Sequence, residues 1–495
     1  MEKQGKIIKN CIYSVLNYFL LIISGLIVRK VLIAELSIEY AGYEAFFSDI
    51  FTILSVADLG LDSIISYKLY EQLACGENRI NYIMSIAKQL YRWIACVVLL
   101  IGGCMFFVFF IFFHAGIENG KILCIVFLIQ IANLGISYAM GYARILFVAD
   151  QKEYICIRWD SAILLTIQLA RIVVLIVWKD FIIYVSFCII QTIIQNSGIL
   201  YKCSKVYGNI FSYKISNRKC LEFIKDDVTH FISHRLSSII FNATDSIVIS
   251  TILGAAVAGL YSNYYMVSKY AYSLISKMIR PLQATIGNYL HKDTSKEIKI
   301  QLLQKLNIIS FVFASFLCTC LINLSTPFIN IWLGENYILN QRLVYLLAIN
   351  MYIAINQDFI FYFRNSFGDY DYDKKYMMLS AIVNLTLSIM LIRIGLEGIV
   401  IATILGHILI WYGRTKFVYK KYFSISMLGY WIEQIFFFLI LHIHIRITNH
   451  IVNHIGTNLG GLVIRGLVIG GITFVMGSMI LGVKIIATKK QDVDK

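Results

Sequence analysis

The chain has 495 residues, 59% of them hydrophobic and only 15% charged, and its 44 Lys and Arg outnumber 29 Asp and Glu for a net charge of +15. Its mean hydropathy is +0.72, whereas a soluble domain of ordinary composition is roughly 45–50% apolar and 25% charged. That balance excludes a soluble enzyme or binding domain and makes an all-α, polytopic membrane protein the expected class.

In chain order the apolar runs predict fourteen helical spans, at 11–33, 41–67, 93–113, 122–147, 161–178, 181–201, 236–254, 258–282, 308–327, 343–363, 376–393, 397–413, 426–446 and 462–483. A bilayer core asks about 20 residues of a helix, and these runs come close to that length. They are about twice as long as the alternating strands of a membrane barrel. The first span follows "MEKQGKIIKN" and imitates a signal peptide, but no small-residue cleavage site follows it, so it reads as a retained helix.

The loops give the orientation. With the N-terminus inside, the cytoplasmic segments hold 31 Lys and Arg, the external segments hold Lys121, Lys179 and Arg342, and the remaining 10 lie in spans. Such an excess over short loops places both termini in the cytoplasm and directs the charge to the anionic inner leaflet, so no nucleic-acid partner is called for. The longest cytoplasmic loop, 202–235, is basic and amphipathic and reads as an inner-surface linker.

An internal repeat organises the spans. When Tyr40 is set on Val257, "YAGYEAFFSDIFTIL" (40–54) lies over "VAGLYSNYYMVSKYA" (257–271), segment 71–88 over 288–305, and the third span over the ninth. The expected architecture is two parallel six-helix lobes around a central cavity, with two further C-terminal helices. The boundaries are 1–201 for the first lobe, 202–235 for the linker, 236–425 for the second lobe, and 426–495 for the last two spans and a cytoplasmic tail.

Ionisable residues inside spans are the candidate site. In "SKYAYSLISKMIRPLQ" (268–283) Lys269, Lys277 and Arg280 share one helical face with Ser273 and Ser276. Each cation costs about 2.5–3.5 kcal/mol to insert near a span centre. Arg280 and Lys277 lie close enough to the cytoplasmic end to snorkel, whereas Lys269 sits about 14 Å from the external end at 1.5 Å per residue. Arg29 and Lys30 near the outer end of span 1, and Arg171 in span 5, extend the cationic set. The carboxylates in spans are Asp49, Asp58, Asp62, Asp245, Asp358 and Glu433. Asp49, Asp58 and Asp245 are the coupling or gating candidates, with capping or local pairing as the competing role for Asp58 and Asp62.

Other features carry less. The eleven cysteines lie in or beside spans without a C-x-x-C pair and read as small hydrophobes. His442, His444, His450 and His454 cluster around span 13, but no metal site is expected without nearby Cys or Asp. No P-loop is present, so neither ATP hydrolysis nor a bound cofactor is expected. Pro281 predicts a kink at the cationic end of span 8, and Tyr264 and Tyr272 are candidate sugar-stacking residues.

"GYEAFFSDIFTILSVADLGLDSIISYKLYEQLACGENRINYIMSIAKQLYR" resembles the second-helix signature of polysaccharide transporters of the O-antigen flippase type. "FNATDSIVISTILGAAVAGLYSNYYMVSKYAYSLISKMIRPLQATIGNYL" and "PFINIWLGENYIL" are similar to that family's helices 7 to 9. The resemblance covers about residues 8–420 and implies the multidrug/oligosaccharidyl-lipid/polysaccharide exporter superfamily. It also implies two helical bundles working by alternating access, a bacterial cytoplasmic membrane, and a cargo of undecaprenyl-diphosphate-linked oligosaccharide repeat units. The implied partners are that cargo, membrane lipids, H⁺ or Na⁺ as coupling ion, and a polysaccharide polymerase and glycosyltransferases. On that reading the cationic face offsets the cost of carrying a diphosphate through low dielectric.

Two other functions compete. A cation- or proton-coupled drug exporter of the same superfamily handles cations, and an acidic cavity would suit it better than a basic one. A membrane enzyme acting on glycans needs sizeable outward loops, and the longest here, 328–342 and 447–461, have only about fifteen residues.

Overall fold

The computed structural model describes residues 2–55, 61–75, 80–114, 120–208, 241, 243–279, 295–366 and 374–493, and positions 211, 213, 220, 286, 287, 289 and 290. Among them are sixteen α-helices and no strand. The chain forms two compact units, residues 1–259 and 260–495. Asp58, Arg280 and Pro281, with most of the expected linker 202–235, lie outside the described residues.

The first unit contains α1 (Glu2–Glu35), α2 (Ile38–Leu54), α3 (Leu61–Cys75), α4 (Ile80–His114), α5 (Gly120–Gly141), α6 (Arg144–Ala149), α7 (Glu153–Val177), α8 (Phe181–Tyr207) and α9 (Asp245–Val248). The α10 helix (Ala255–Ile279) begins there and continues into the second unit. It is followed by α11 (Lys296–Trp332), α12 (Gln341–Ser366), α13 (Lys374–Leu391), α14 (Leu396–Lys416), α15 (Leu428–Val452) and α16 (Leu459–Val493).

Eleven of these helices are long and apolar enough to cross a membrane, namely all but α2, α3, α6, α9 and α10. They answer to eleven of the fourteen expected spans, and the other three have a different form. Span 2 is carried by two helices, α2 and α3. Span 7 is described from residue 241 onward, where α9 widens into a π-helical turn, Ile249–Leu253, that closes on Gly254 at φ 95°. Span 8 is α10, which is 25 residues long but too rich in Ser, Asn, Tyr and Lys to match the apolarity of the eleven.

Burial follows helical periodicity. On α2 the buried side is Tyr43, Phe46, Phe47, Ile50 and Leu54, with Phe47 against Phe127 of α5 at 6.1 Å between ring centroids. A second cluster joins α3, α4, α6 and α8 through Ile65, Met84, Leu90, Phe147 and Cys203. The six-residue α6 is held by that burial, since a helix so short has no stability of its own. In the second unit His444 of α15 fastens three helices, its Nδ1 2.9 Å from Thr319 Oγ1 of α11 and its Nε2 3.2 Å from Thr473 Oγ1 of α16.

The repeat is written in the helix boundaries. In the register that sets Tyr40 on Val257, the start of α2 falls on Ala255, the start of α10, and α4 falls on α11 to within one position at each end. The α8 helix matches α14 and its π-helical extension end to end, Phe181 on Leu396 and Tyr207 on Tyr422. That register is shorter by two residues, because a 3-10 turn, Ile392–Ile394, prolongs α13 and leaves only Gly395 before α14, against three residues, 178–180, before α8. Gly42 and Gly259 are equivalent in the first register, and each faces the first residue of the other's helix. A Cβ on Gly42 would stand 1.9 Å from the Ala255 carbonyl oxygen, and one on Gly259 would stand 2.2 Å from that of Ile38. Only glycine allows so close a crossing.

Candidate functional site

In the first unit the polar interior is organised around Glu44, which the sequence reading had passed over. Arg29 is buried, and its Nη1 donates to Glu44 Oε2 at 2.8 Å. Tyr184 Oη donates to Glu44 Oε1 at 2.7 Å. The Arg171 guanidinium lies 5.3 Å from the centroid of the Tyr184 ring, a cation–π distance. Arg29 is therefore paired with Glu44, and Arg171 joins the same group through the Tyr184 ring. The signal for Glu44 was depth. Arg29 lies six residues before the end of α1 and Glu44 six after the start of α2, so the turn between them sets the two side chains level.

Asp49 and Asp245 meet at α9. Asp49 Oδ2 accepts the Ser246 N–H at 3.1 Å, and Asp245 is the first residue of that short helix. The π-helical turn that follows is a backbone irregularity of the kind found at functional sites. Asp62 accepts a hydrogen bond from Tyr91 of α4.

In the second unit α10 presents the expected cationic face. Lys269 and Lys277 are exposed, and Lys269 Nζ lies 5.9 Å from the centroid of the Tyr265 ring. Lys269 is fourteen residues from the helix start, about 21 Å along an axis of about 37 Å. An exposed ammonium at mid-helix is costly to place against lipid. The same face holds a carboxylate after all, supplied by another helix. Asp358 of α12 accepts Tyr272 Oη at 2.5 Å and Ser276 Oγ at 3.4 Å. Tyr264 is fully buried, and its hydroxyl accepts the Leu339 N–H at 3.2 Å, so its ring is packed and not presented to a sugar.

A seam between α12 and α14 was also missed. Asn350 Oδ1 lies 2.6 Å from His407 Nδ1, and Arg414 Nη1 donates to Gln357 Oε1 at 3.3 Å. The Phe361 ring lies 4.4 Å from the Arg414 guanidinium and 5.1 Å from that of Arg364. Arg364 and Arg414, counted as loop cations, are buried. Both helices run past the apolar stretch that marked them, so charge alone mistook the last helical turn for loop. Among the described residues no group of three His, Cys, Asp or Glu is placed to hold a metal.

No family model and no curated protein sequence matches the chain. Solved structures do match its fold. The lipid II flippase MurJ in an inward closed conformation superposes with a TM-score of 0.65 at 14% identity, covering 96% of this chain and 99% of its own. An inward-facing multidrug resistance MATE family transporter of the MOP superfamily gives 0.57 at 12% identity, over 81% and 94%. A mutant of the Vibrio cholerae MATE transporter VcmN gives 0.55 at 13% identity, over 83% and 95%. The chain has the fold of these transporters and is a multi-pass, all-helical membrane protein.

Proposed function

We propose that the chain is a flippase of the MOP superfamily that moves undecaprenyl-diphosphate-linked oligosaccharide units across the bacterial cytoplasmic membrane by alternating access, for cell-surface polysaccharide synthesis. The observation that carries this reading is the extent of the fold match. The lipid II flippase covers 96% of the chain, so the part it leaves unmatched is shorter than either α15 or α16 alone. The two MATE transporters cover only 81% and 83%. A drug exporter of the same superfamily is the alternative. The mid-helix cation Lys269 weighs against it, because a cationic wall suits an anionic diphosphate and repels a cationic drug.

In this mechanism both termini and most loop cations face the cytoplasm. Lys269 receives the diphosphate, Lys277 and Arg280 form its approach, and Arg29 and Arg171 add positive potential. Asp245, Asp49 and Asp58 are the coupling or gating carboxylates, with H⁺ or Na⁺ as the ion. Catalytic chemistry and a cofactor are not required, since the cargo is moved and not altered. A polymerase would take up the cargo that glycosyltransferases had built.

The test is complementation of a strain lacking its own polysaccharide flippase, with membrane levels checked by blot. Lys269→Arg is expected to keep most of the export, while Lys269→Ala and then Lys269→Glu lose it progressively. Equal export by all four proteins would remove the charge from the mechanism, and drug resistance without glycan export would favour the exporter.

A further inference from the structure

The first unit contains a polar pocket of about 350 Å³ that the cationic reading does not use. It opens among α1, α5, α6, α7 and α8, and four primary amides line it, from Asn17, Gln191, Gln195 and Asn196. Hydroxyls of Ser137 and Thr192 join them, with Leu21 and Leu164 as an apolar wall. The volume falls within the range of small-ligand sites, roughly 300–1,000 Å³.

The pocket is built. Arg144 clamps Asp160 through two parallel hydrogen bonds, at 2.5 and 2.9 Å, and its Nε donates to Asn196 Oδ1 at 3.2 Å. The Asn17 side chain is tied to the Ser161 hydroxyl at 2.7 Å. Gln195 reaches the Asp160 carbonyl at 3.4 Å. Among the described residues Gln191, Thr192 and Ser137 make no side-chain hydrogen bond with another protein group. Each amide offers two donors and an acceptor, and each hydroxyl both roles. Polar groups in a membrane-embedded bundle are costly to leave unsatisfied.

The chemistry of the lining defines the ligand. The only charges are Arg144 and Asp160, and they neutralise each other, so neither an anion nor a metal cation finds a free partner. What remains is a set of neutral donors and acceptors with the aliphatic side chains of Leu21 and Leu164, which fits a molecule carrying both hydroxyls and C–H faces.

The second copy of the repeat gives independent support. Trp159 packs against Gly198, where an added Cβ would stand 2.3 Å from the indole, and Tyr376 packs in the same way against Gly413, at 2.4 Å. This shared contact aligns α7 with α13 and α8 with α14. At the aligned positions Asp160 is replaced by Met377, Gln191 by Gly406, Gln195 by Ile410 and Asn196 by Trp411, while Thr192 falls on His407, which pairs with Asn350 at 2.6 Å. The second copy therefore keeps the helix packing without a single one of the three α8 amides or the Asp160 carboxylate, so the fold does not itself need them.

We propose that this pocket is a glycan subsite, taking a neutral, polyhydroxylated sugar ring of the cargo through Gln191, Thr192, Asn17 and Gln195. The cargo's identity rests on the flippase reading above, and the ligand class rests on the pocket. The division of labour is then physical, with cations for the diphosphate and neutral amides for the sugar.

The experiment uses the purified full chain in detergent, with lactose, chitobiose and maltotriose as sugar probes and inorganic pyrophosphate as the anionic control. Saturation-transfer NMR should detect at least one sugar on the wild-type protein. The near-isosteric double variant Gln191→Leu/Thr192→Val should bind it at least tenfold more weakly, with unchanged pyrophosphate binding and unfolding temperature. If the double variant does not fold, Thr192→Val alone is read against the same criteria with a threefold loss expected. No sugar contact in the wild type, or equal binding by the variant, overturns the subsite. Complementation in parallel separates the two ideas. Export retained without sugar binding sinks the subsite and leaves the flippase standing, whereas sugar binding in a protein that exports no glycan sinks the flippase and leaves the subsite.

Discussion

The two units are built from one repeated plan and filled differently. In α4 and α5, 33% of the most apolar stretch is buried, against 67% in their counterparts α11 and α12, and the share is 22% in α8 against 56% in its counterpart α14. Part of the difference is external, since α16 packs on α11 and has no equivalent in the first unit. Part is internal, because the second copy puts Met377, Ile410 and Trp411 where the first keeps Asp160, Gln195 and Asn196. The same succession of helices occurs in both units, more deeply buried in the second and with an amide-lined pocket in the first. Close packing fixes a helix bundle, and a polar lining is what a small-molecule site requires.

The sharpest way to break that comparison is to empty both cores at equivalent positions. Phe311 of α11 is fully buried and stacked on Phe437 of α15 at 4.3 Å, and its counterpart in the repeat register is Ile94 of α4. Phe311→Ala should cost about 4 kcal/mol and Ile94→Ala about 2, read by unfolding in detergent, because the tighter site collapses less around its cavity. Equal losses would mean that the units do not differ in packing. Next in size is the glycine crossing. Gly42→Ala and Gly259→Ala each drive a methyl into a carbonyl oxygen, and each should cost about 2 kcal/mol by forcing the backbones apart. Unequal losses would show that the crossing is not a symmetric element of the repeat.

The legible part of this fold was whatever leaves a periodic or cumulative trace. Eleven spans were readable from apolar length, and the face shared by Lys269 and Lys277 from helical periodicity. The repeat was readable because it shifts whole elements, and the Ala-Gly pairs at 41–42 and 258–259 mark its crossing. Partners contributed by another helix were not legible. Asp358 approaches α10 from 86 residues beyond Tyr272, a separation that no local pattern along α10 marks. The amide pocket left least trace of all. Gln191, Thr192, Gln195 and Asn196 sit in a span whose apolar content carries the helix, and uncharged polar groups do not stand out until α1, α5 and α8 converge on them.

The smallest expected effects come from two phenols that play matching parts. Tyr184 donates to Glu44 in the first unit and Tyr272 to Asp358 in the second. Replacing either by Phe removes one hydroxyl and keeps the ring, so packing is preserved and only the carboxylate's coordination changes. Glu44 retains the charge-assisted bond from Arg29 at 2.8 Å, whereas Asp358 retains the 3.4 Å contact with Ser276. Hydrogen bonds to charged groups contribute about 1.5–3 kcal/mol, and the penalty grows when the carboxylate is left with poor substitutes. Tyr184→Phe should therefore cost about 1 kcal/mol and Tyr272→Phe about 1.5, by the same unfolding measurement. The double variant Tyr184→Phe/Arg29→Met should lose more than the sum of its parts, because Glu44 is then stripped of both partners at once. Additive losses in that cycle, or a Tyr184→Phe cost above that of Tyr272→Phe, would show that Arg29 does not hold Glu44 and that the cation is available for other work.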